Sequence, residues 1–433
     1  MNNTSIIILA AGAGSRMKSS LPKVLHKISG KEMLYYSIKE ALKLSDDITV
    51  VLYHNAQKVQ KCMEEYFPLK IKYVLQDVKN YPGTGGAVRG ITPKYSKTLV
   101  LNGDMPLIQA SELEKFDLDA CIVMSVLELN DASGYGRVIM KNDKITKIVE
   151  QKDATSEELA VKTANAGIYL FETTFLLEAL PKLSNNNAQK EYYITDLVEI
   201  AISQEKILKP LLVNEENFKG VNSKLDLCDA EVIHQNRIKN EFLKAGVIMR
   251  LRDTIYIEES VSIKGESILE NGVTLLGNTS IISSHIKAHT VVEDAKLENS
   301  DAGPMARIRP GSVLIATHIG NFVETKKAKL TGVKAGHLSY LGDCEINEGT
   351  NIGCGTITCN YDGMNKHQTR IGKNVFIGSA TQLIAPISLE DNCMVAAGST
   401  ISSDVKEGEL AITRAKAKNI KGFFYKFFNK VKP

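Results

Sequence analysis

The stretch Ile255–Ile281, IYIEESVSIKGESILENGVTLLGNTSI, carries an aliphatic residue at every sixth position: Ile257, Ile263, Leu269, Leu275 and Ile281. The beat returns at Ile371, Ile377, Leu383, Leu389, Val395 and Ile401, and Ile346 and Ile352 keep it earlier. Helical periods do not produce a step of six. Hexapeptide repetition predicts a parallel β-helix, in which each short strand sends one aliphatic side chain into a stacked interior. Gly, Asn, Ser and Asp fill the turns between, where tight backbone angles must be met. The two blocks share one phase, which argues against coincidence. The rhythm breaks between Ile352 and Ile371, where CNYDGMNKHQTR (359–370) must loop out. In a solenoid such an insertion often lies on the binding face.

Upstream of about residue 225 the pattern differs. SIIILAA (5–11), DITVVLYH (47–54), IKYVLQ (71–76) and KTLVLNGD (97–104) read as strands. MLYYSIKEALKLS (33–45) and AQKVQKCMEEYF (56–67) read as helices between them. Alternation of this kind predicts an α/β domain with a mostly parallel, Rossmann-like sheet, whose ligands bind beyond the carboxyl ends of the strands. Two such ends carry LAAGAGSRM and LVLNGDMP. A strand entering a Gly-rich turn, followed by Arg16 and Lys23, suits a bound phosphate. Met17 breaks the dinucleotide spacing G-x-G-x-x-G, and no G-K-[ST] is present. The alternative is a tight turn with surface cations. Residues 226–250 read as a polar connecting helix, dividing 1–225 from 251–433.

The 433 residues carry a net charge of +3, which makes no case for nucleic acid. Seven cysteines without C-x-x-C spacing, and no secretory signal, predict reduced thiols and a cytoplasmic protein. No segment approaches the ~20 apolar residues of a membrane span. The tail KGFFYKFFNKVKP (421–433) reads as a docked or frayed helix, with membrane-surface contact as the sharper alternative.

L-A-A-G-x-G-x-R-M with L-P-K is followed in the second half by KAGHLSYLGD (334–343) and GCGTITCNYDG (353–363). With these motifs in this order, the halves together resemble the bifunctional bacterial N-acetylglucosamine-1-phosphate uridyltransferase / glucosamine-1-phosphate acetyltransferase family. The resemblance implies a nucleotidyltransferase domain followed by a left-handed β-helix acetyltransferase, assembled as a homotrimer. Glucosamine-1-phosphate would be acetylated from acetyl-CoA, then uridylylated from UTP to give UDP-N-acetylglucosamine and pyrophosphate.

The resemblance also implies residue roles. Leu9, Ala10, Ala11 and Gly12 hold the uracil and ribose side of UTP, while Arg16 and Lys23 face its phosphates as catalytic cations. Asn102, Gly103 and Asp104 of the strand-end motif and Asn222 of KGVN contact the nucleotide or sugar, and Asp104 with Asn222 binds Mg²⁺. Asp104 is also what chemistry alone nominates; a lone Asn usually reads as a turn residue. Gln76, Gly83 and Thr84 contact the nucleotide, with Gly86 where the family more often has His. Gly136, Glu150 and Asn165 grip the acetamido sugar, walled by NNNAQKEYYITDL (185–197). In the second half, His337 is the general base, since an ammonium cannot attack a thioester and imidazole titrates near neutrality. Arg309, Lys326, Tyr340, Asn351 and Lys366 contact the sugar phosphate. Cys354, Asn360, Tyr361, Ser379, Ala397 and Arg414 surround acetyl-CoA, with Cys354 as an incidental small residue. Two rivals are a pyrophosphorylase for another sugar or nucleotide with a regulatory β-helix, and a β-helix that serves only as a trimerisation scaffold.

Overall fold

Ile6, Ile7 and Ile8 are at most 1% exposed, so the strand that carries them is covered on both faces. The computed structural model describes residues 3–12, 14–141 and 144–431. Lys432 and Pro433 of the tail lie outside them. The buried strand, Thr4–Ala10, is flanked in parallel by Ile48–Leu52 and Lys97–Asn102. The sheet extends through Lys72–Leu75 on one side. On the other it continues through Thr163–Glu172, Ile122–Glu128 and Leu208–Leu212. Only Thr163–Glu172 on this path runs antiparallel to its neighbours. Alternate side chains of these strands feed two cores, one on each face, as a sheet covered on both sides requires. The pairing Leu9↔Asn102 sets the carboxyl ends of two strands side by side.

The hexapeptide half is a left-handed β-helix of three parallel sheets, one per face of a prism. Interior residues stack coil on coil: Ile257, Leu275, Val292, Ile308, Thr325 and Leu341 form one continuous ladder. The six-residue beat does not hold throughout. Between Ile281 and Ile346 seven steps are five residues long, starting at Ile281, Val292, Leu297, Leu314, Thr325, Leu330 and Leu341. Each has a left-handed residue two positions after its interior residue: Ser283, Asp294, Asn299, Ala316, Lys327, Gly332 and Asp343. At these corners the chain turns with one residue fewer. The step from Thr358 to Ile371, which contains the insertion, is thirteen residues and restores the seven lost. The shared phase of the two repeat blocks is therefore a coincidence, although each block is a true repeat.

Within the insertion, Tyr361 and Lys366 pair as an antiparallel bridge. Asp362 accepts hydrogen bonds from the Met364 and Asn365 amides at 2.8 and 2.6 Å, and contacts the His367 ring at 2.7 Å. These donors hold the Asp362 carboxyl well below its usual range. Asn360 donates to Asp343 at 2.5 Å, fixing the root of the loop.

The polar run forms the helix Lys224–Lys244. The chain divides into two compact units, Met1–Arg237 and Ile238–Pro433, and the division falls inside this helix. Leu227, Ala230 and Ile233 pack in the first unit with Met33, Tyr36 and Val221. Ile238 and Phe242 belong to the β-helix core. Among the described residues no helix is long and apolar enough to cross a membrane.

Candidate active sites

A cavity of about 420 Å³ lies at the carboxyl ends of Thr4–Ala10 and Lys97–Asn102. Leu9, Ala10, Ala11, Gly12, Lys23, Gln76, Gly83, Thr84, Asn102 and Asp104 line it. Gly103, between Asn102 and Asp104, packs tightly on one side: a Cβ there would stand 3.2 Å from Ala10 Cβ and 3.0 Å from Leu34, and its amide donates to the Leu9 carbonyl at 2.9 Å. Gly14 has φ +64°, and a Cβ would meet Lys23 Cβ at 2.5 Å, so glycine lets the turn lie against Lys23. Buried Gln76 donates to the carbonyls of Tyr81 and Gly83 at 3.1 and 2.9 Å, bracing the loop before Thr84. A Cβ on Gly86 would fall 2.1 Å from the Tyr81 carbonyl oxygen. The route of KNYPGTGG thus excludes a histidine at 86.

At the mouth, Lys23 Nζ donates to Asp104 Oδ2 at 2.5 Å and Asn222 Oδ1 at 2.7 Å. Arg16, exposed and outside the cavity wall, donates to the same Asn222 oxygen at 2.8 Å. Four residues from three distant parts of the chain therefore meet at one point. Asp226 accepts from the Asn222 and Ser223 amides at 3.0 and 2.8 Å, capping the helix and fixing the backbone of Asn222. Sequence reasoning passed over Asp226, although N-S-x-x-D before a helical run is a capping pattern. Two oxygens converging on one cation suit a hard ion that takes few protein ligands. Among the described residues no group of three His, Cys, Asp or Glu could hold a metal.

A second hollow, about 320 Å³, is lined by Glu150, Asp153, Tyr193, Thr195, Asp196 and Glu199, among others. Gly136 backs onto Glu150, where a Cβ would lie 3.4 Å from Oε2. The Asn165 amide donates to the Gly136 carbonyl at 2.9 Å, and Asn165 Oδ1 accepts from Gly167 at 2.9 Å. The three sugar-binding candidates are thus neighbours. Burial raises the Glu150 carboxyl above its usual range, against the hydrogen bond from Thr195. Burial, with the charges of Glu199, Glu150 and Asp153, pushes Asp196 up to about 6. The density of acids in EYYITDLVE was the signal available for Asp196.

On the β-helix, His337 is exposed and its register partner is Asn321. The coil register places Cys354, Ser379 and Ala397 at the same position in the next three coils, two residues after Ile352, Ile377 and Val395. A stripe of small residues therefore leads away from His337, rising about 5 Å per coil. Arg414 reaches its far end, 3.7 Å from a Cβ built on Gly398. Around the neighbouring edge Arg309 donates to Glu324 at 2.6 Å. Lys326 lies so close to Lys366 that its ammonium loses protons more readily than usual, with Arg309 adding to the effect. Tyr340 pairs with Glu324 and Ile357, and Asn351 with Lys334 and Phe376. Lys366 and Tyr361 share the bridge of the insertion, and both are exposed.

A cavity at the carboxyl ends of parallel strands in one unit and, in the other, a β-helix with a histidine-headed stripe are the features of a nucleotidyltransferase fused to a hexapeptide acyltransferase. Residues 6–117 match the model of the MobA-like NTP transferase domain, and 368–403 match the hexapeptide repeat of succinyl-transferase. The Bifunctional protein GlmU of Aliarcobacter butzleri is 74% identical over 432 residues, covering 100% of both chains. Those of Wolinella succinogenes and a Nitratiruptor species are each 59% identical, covering 99% and 98% of this chain and 100% and 99% of their own. The chain belongs to the GlmU family. It is a bifunctional transferase that acetylates glucosamine-1-phosphate and uridylylates N-acetylglucosamine-1-phosphate, making UDP-N-acetylglucosamine.

Proposed function

We propose a division of labour in which each reaction is run by the residues gathered at its own site. In uridylyl transfer, UTP lies in the cavity with its base and ribose against Leu9–Gly12 and Gln76. Arg16 and Lys23 neutralise its phosphates. N-acetylglucosamine-1-phosphate is gripped through its sugar by Gly136, Glu150 and Asn165. Its phosphate oxygen attacks the α-phosphorus of UTP, the bond to the β-phosphate breaks, and pyrophosphate leaves. Such transfer depends on in-line placement and charge neutralisation. Asp104 and Asn222 would hold Mg²⁺, which supplies further neutralisation when bound. The convergence of their oxygens on the Lys23 ammonium supports a cation at that point.

In acetyl transfer, His337 takes a proton from the amino group of glucosamine-1-phosphate. The freed amine attacks the thioester carbonyl, the C–S bond breaks, and the departing CoA sulfur is protonated. The sugar phosphate sits among Arg309, Lys326 and Lys366, with Tyr340 and Asn351 beside it. Two apposed ammonium groups repel unless an anion joins them, and this carries the phosphate assignment. Acetyl-CoA extends along Cys354, Ser379 and Ala397, flanked by Asn360, Tyr361 and Arg414. The enzyme works as a homotrimer in the cytoplasm, with the insertion reaching a neighbouring β-helix. Tyr361 at 60% and Met364 at 87% exposure leave its tip free to do so.

Asp104→Ala tests the division. It should abolish Mg²⁺-dependent uridylylation and leave acetylation near wild type. Loss of both activities in a folded protein would refute two independent sites. A fully active monomer in sedimentation equilibrium would refute the trimer.

A further inference from the structure

The segment after the last coil has no part in either site beyond Arg414. From Lys416 to Val431 it carries Lys416, Lys418, Lys421, Lys426 and Lys430 and no acidic residue. Every described residue from Ile412 onward is exposed except half-buried Tyr425. Phe423, Phe424, Phe427 and Phe428 are 52–67% exposed. They pack on one another, Phe423 on Phe427 at 5.8 Å and Phe424 on Phe428 at 4.9 Å, around the single-turn helix Phe423–Phe427. Lys430 sits over the Phe424 ring at 5.9 Å. The fold thus leaves an aromatic knot, ringed by lysines, in water.

We propose that this tail is a peripheral anchor that docks on an anionic lipid surface. Its charge is complementary to such a surface, and each lysine near it strengthens binding about fivefold. Phenylalanines suit the headgroup–acyl boundary, where rings enter the apolar layer while lysine ammoniums stay among phosphates. Nucleic acid would use the cations but offers the clustered rings no apolar layer to enter. A second copy of this chain offers the hollow lined by Glu345, Glu390, Asp391 and Glu407 around Arg370, whose aliphatic members Ile371 and Leu389 are buried and give four phenylalanines little to cover them. One docked chain would set the sugar-nucleotide product free beside the membrane.

Full-length protein is to be floated with vesicles of phosphatidylcholine alone or mixed with phosphatidylglycerol in equal parts. Binding should require the anionic lipid and weaken steeply with salt. Combined replacement of Lys421, Lys426 and Lys430 by Gln should reduce it about a hundredfold. A second variant, Phe423→Ser with Phe424→Ser, Phe427→Ser and Phe428→Ser, should abolish flotation at physiological salt while both transferase activities persist. Failure of wild-type protein to float overturns the anchor. So does a serine variant that floats as well as wild type, which would make the tail a mere polycation able to bind any polyanion. Protease resistance of the tail without vesicles, at concentrations where the chain self-associates, overturns it in favour of a second copy.

Discussion

Replacing Asp196 by Asn interrogates the electrostatics of the sugar hollow. Burial, then the charges of Glu199, Glu150 and Asp153, raise this carboxyl from 3.8 to about 6. A carboxyl with a raised folded-state pKa binds its proton more tightly in the native chain than in the unfolded one. Its stabilising contribution is complete below pH 3.8, declines as the pH rises, and is lost above about pH 6. A gap of about two pH units corresponds to at most about 3 kcal/mol. Solvent reaching the open hollow screens this to about 1–2 kcal/mol. Asn keeps the shape and cannot ionise. Asp196→Asn should therefore match wild type at about pH 4 and be about 1–2 kcal/mol more stable at about pH 8. Thermal unfolding of the full chain at both values reads this out, as a rise of about 2–6 °C in the first unit's transition at the higher pH alone. An equal gain at both pH values, or a loss at the higher one, would refute the assignment of the strain to charge.

Three further outcomes follow from the geometry. His337→Ala should lower acetyl transfer by about 10²–10⁴-fold while melting temperature and acetyl-CoA affinity stay near wild type; near-normal turnover would end the general-base role. Gly86→Ala drives a methyl group into the Tyr81 carbonyl and should destabilise the first unit by about 1–3 kcal/mol, raising KM for UTP and sparing acetylation. Lys366→Gln removes the charge that lowers the Lys326 pKa, so the Lys326 ammonium, followed by NMR, should titrate at higher pH while KM for glucosamine-1-phosphate rises; an unmoved titration would show that the two lysines do not sense each other.

The parts of this fold that rest on local repetition were legible. Buried strands such as Ile6–Ile8 announce themselves as apolar runs, and Ile371–Ile401 keeps its six-residue beat because each of those steps uses a full-length corner. The middle coils were not legible because Ser283, Ala316 and Lys327 turn left-handed without any residue that advertises it. Composition favours Gly, Asn and Asp for such corners, and the signal is lost where other residues take them. In the sites, Asp104 could be named from chemistry at a strand end. Asn222 needed the resemblance, since only the three-dimensional meeting with Lys23 and Arg16 distinguishes it from any turn asparagine. At Gly103 a Cα hydrogen faces Ala10 and Leu34, a close approach that only the assembled strands reveal.

The helix Lys224–Lys244 has a consequence for how such a two-headed enzyme can be taken apart. Its opening turn holds Asn222 through Asp226, and its next turns fill the small core around Met33 and Tyr36. Its closing turns cover the first coil through Ile238 and Phe242. No peptide bond in it is a neutral place to cut. A fragment ending at residue 225 forfeits the carboxylate that orients a metal-ligand candidate, and one beginning at 245 uncaps the solenoid. Recombination between relatives would face the same obstacle: the two catalysts can trade partners only by sharing, or duplicating, this one rod.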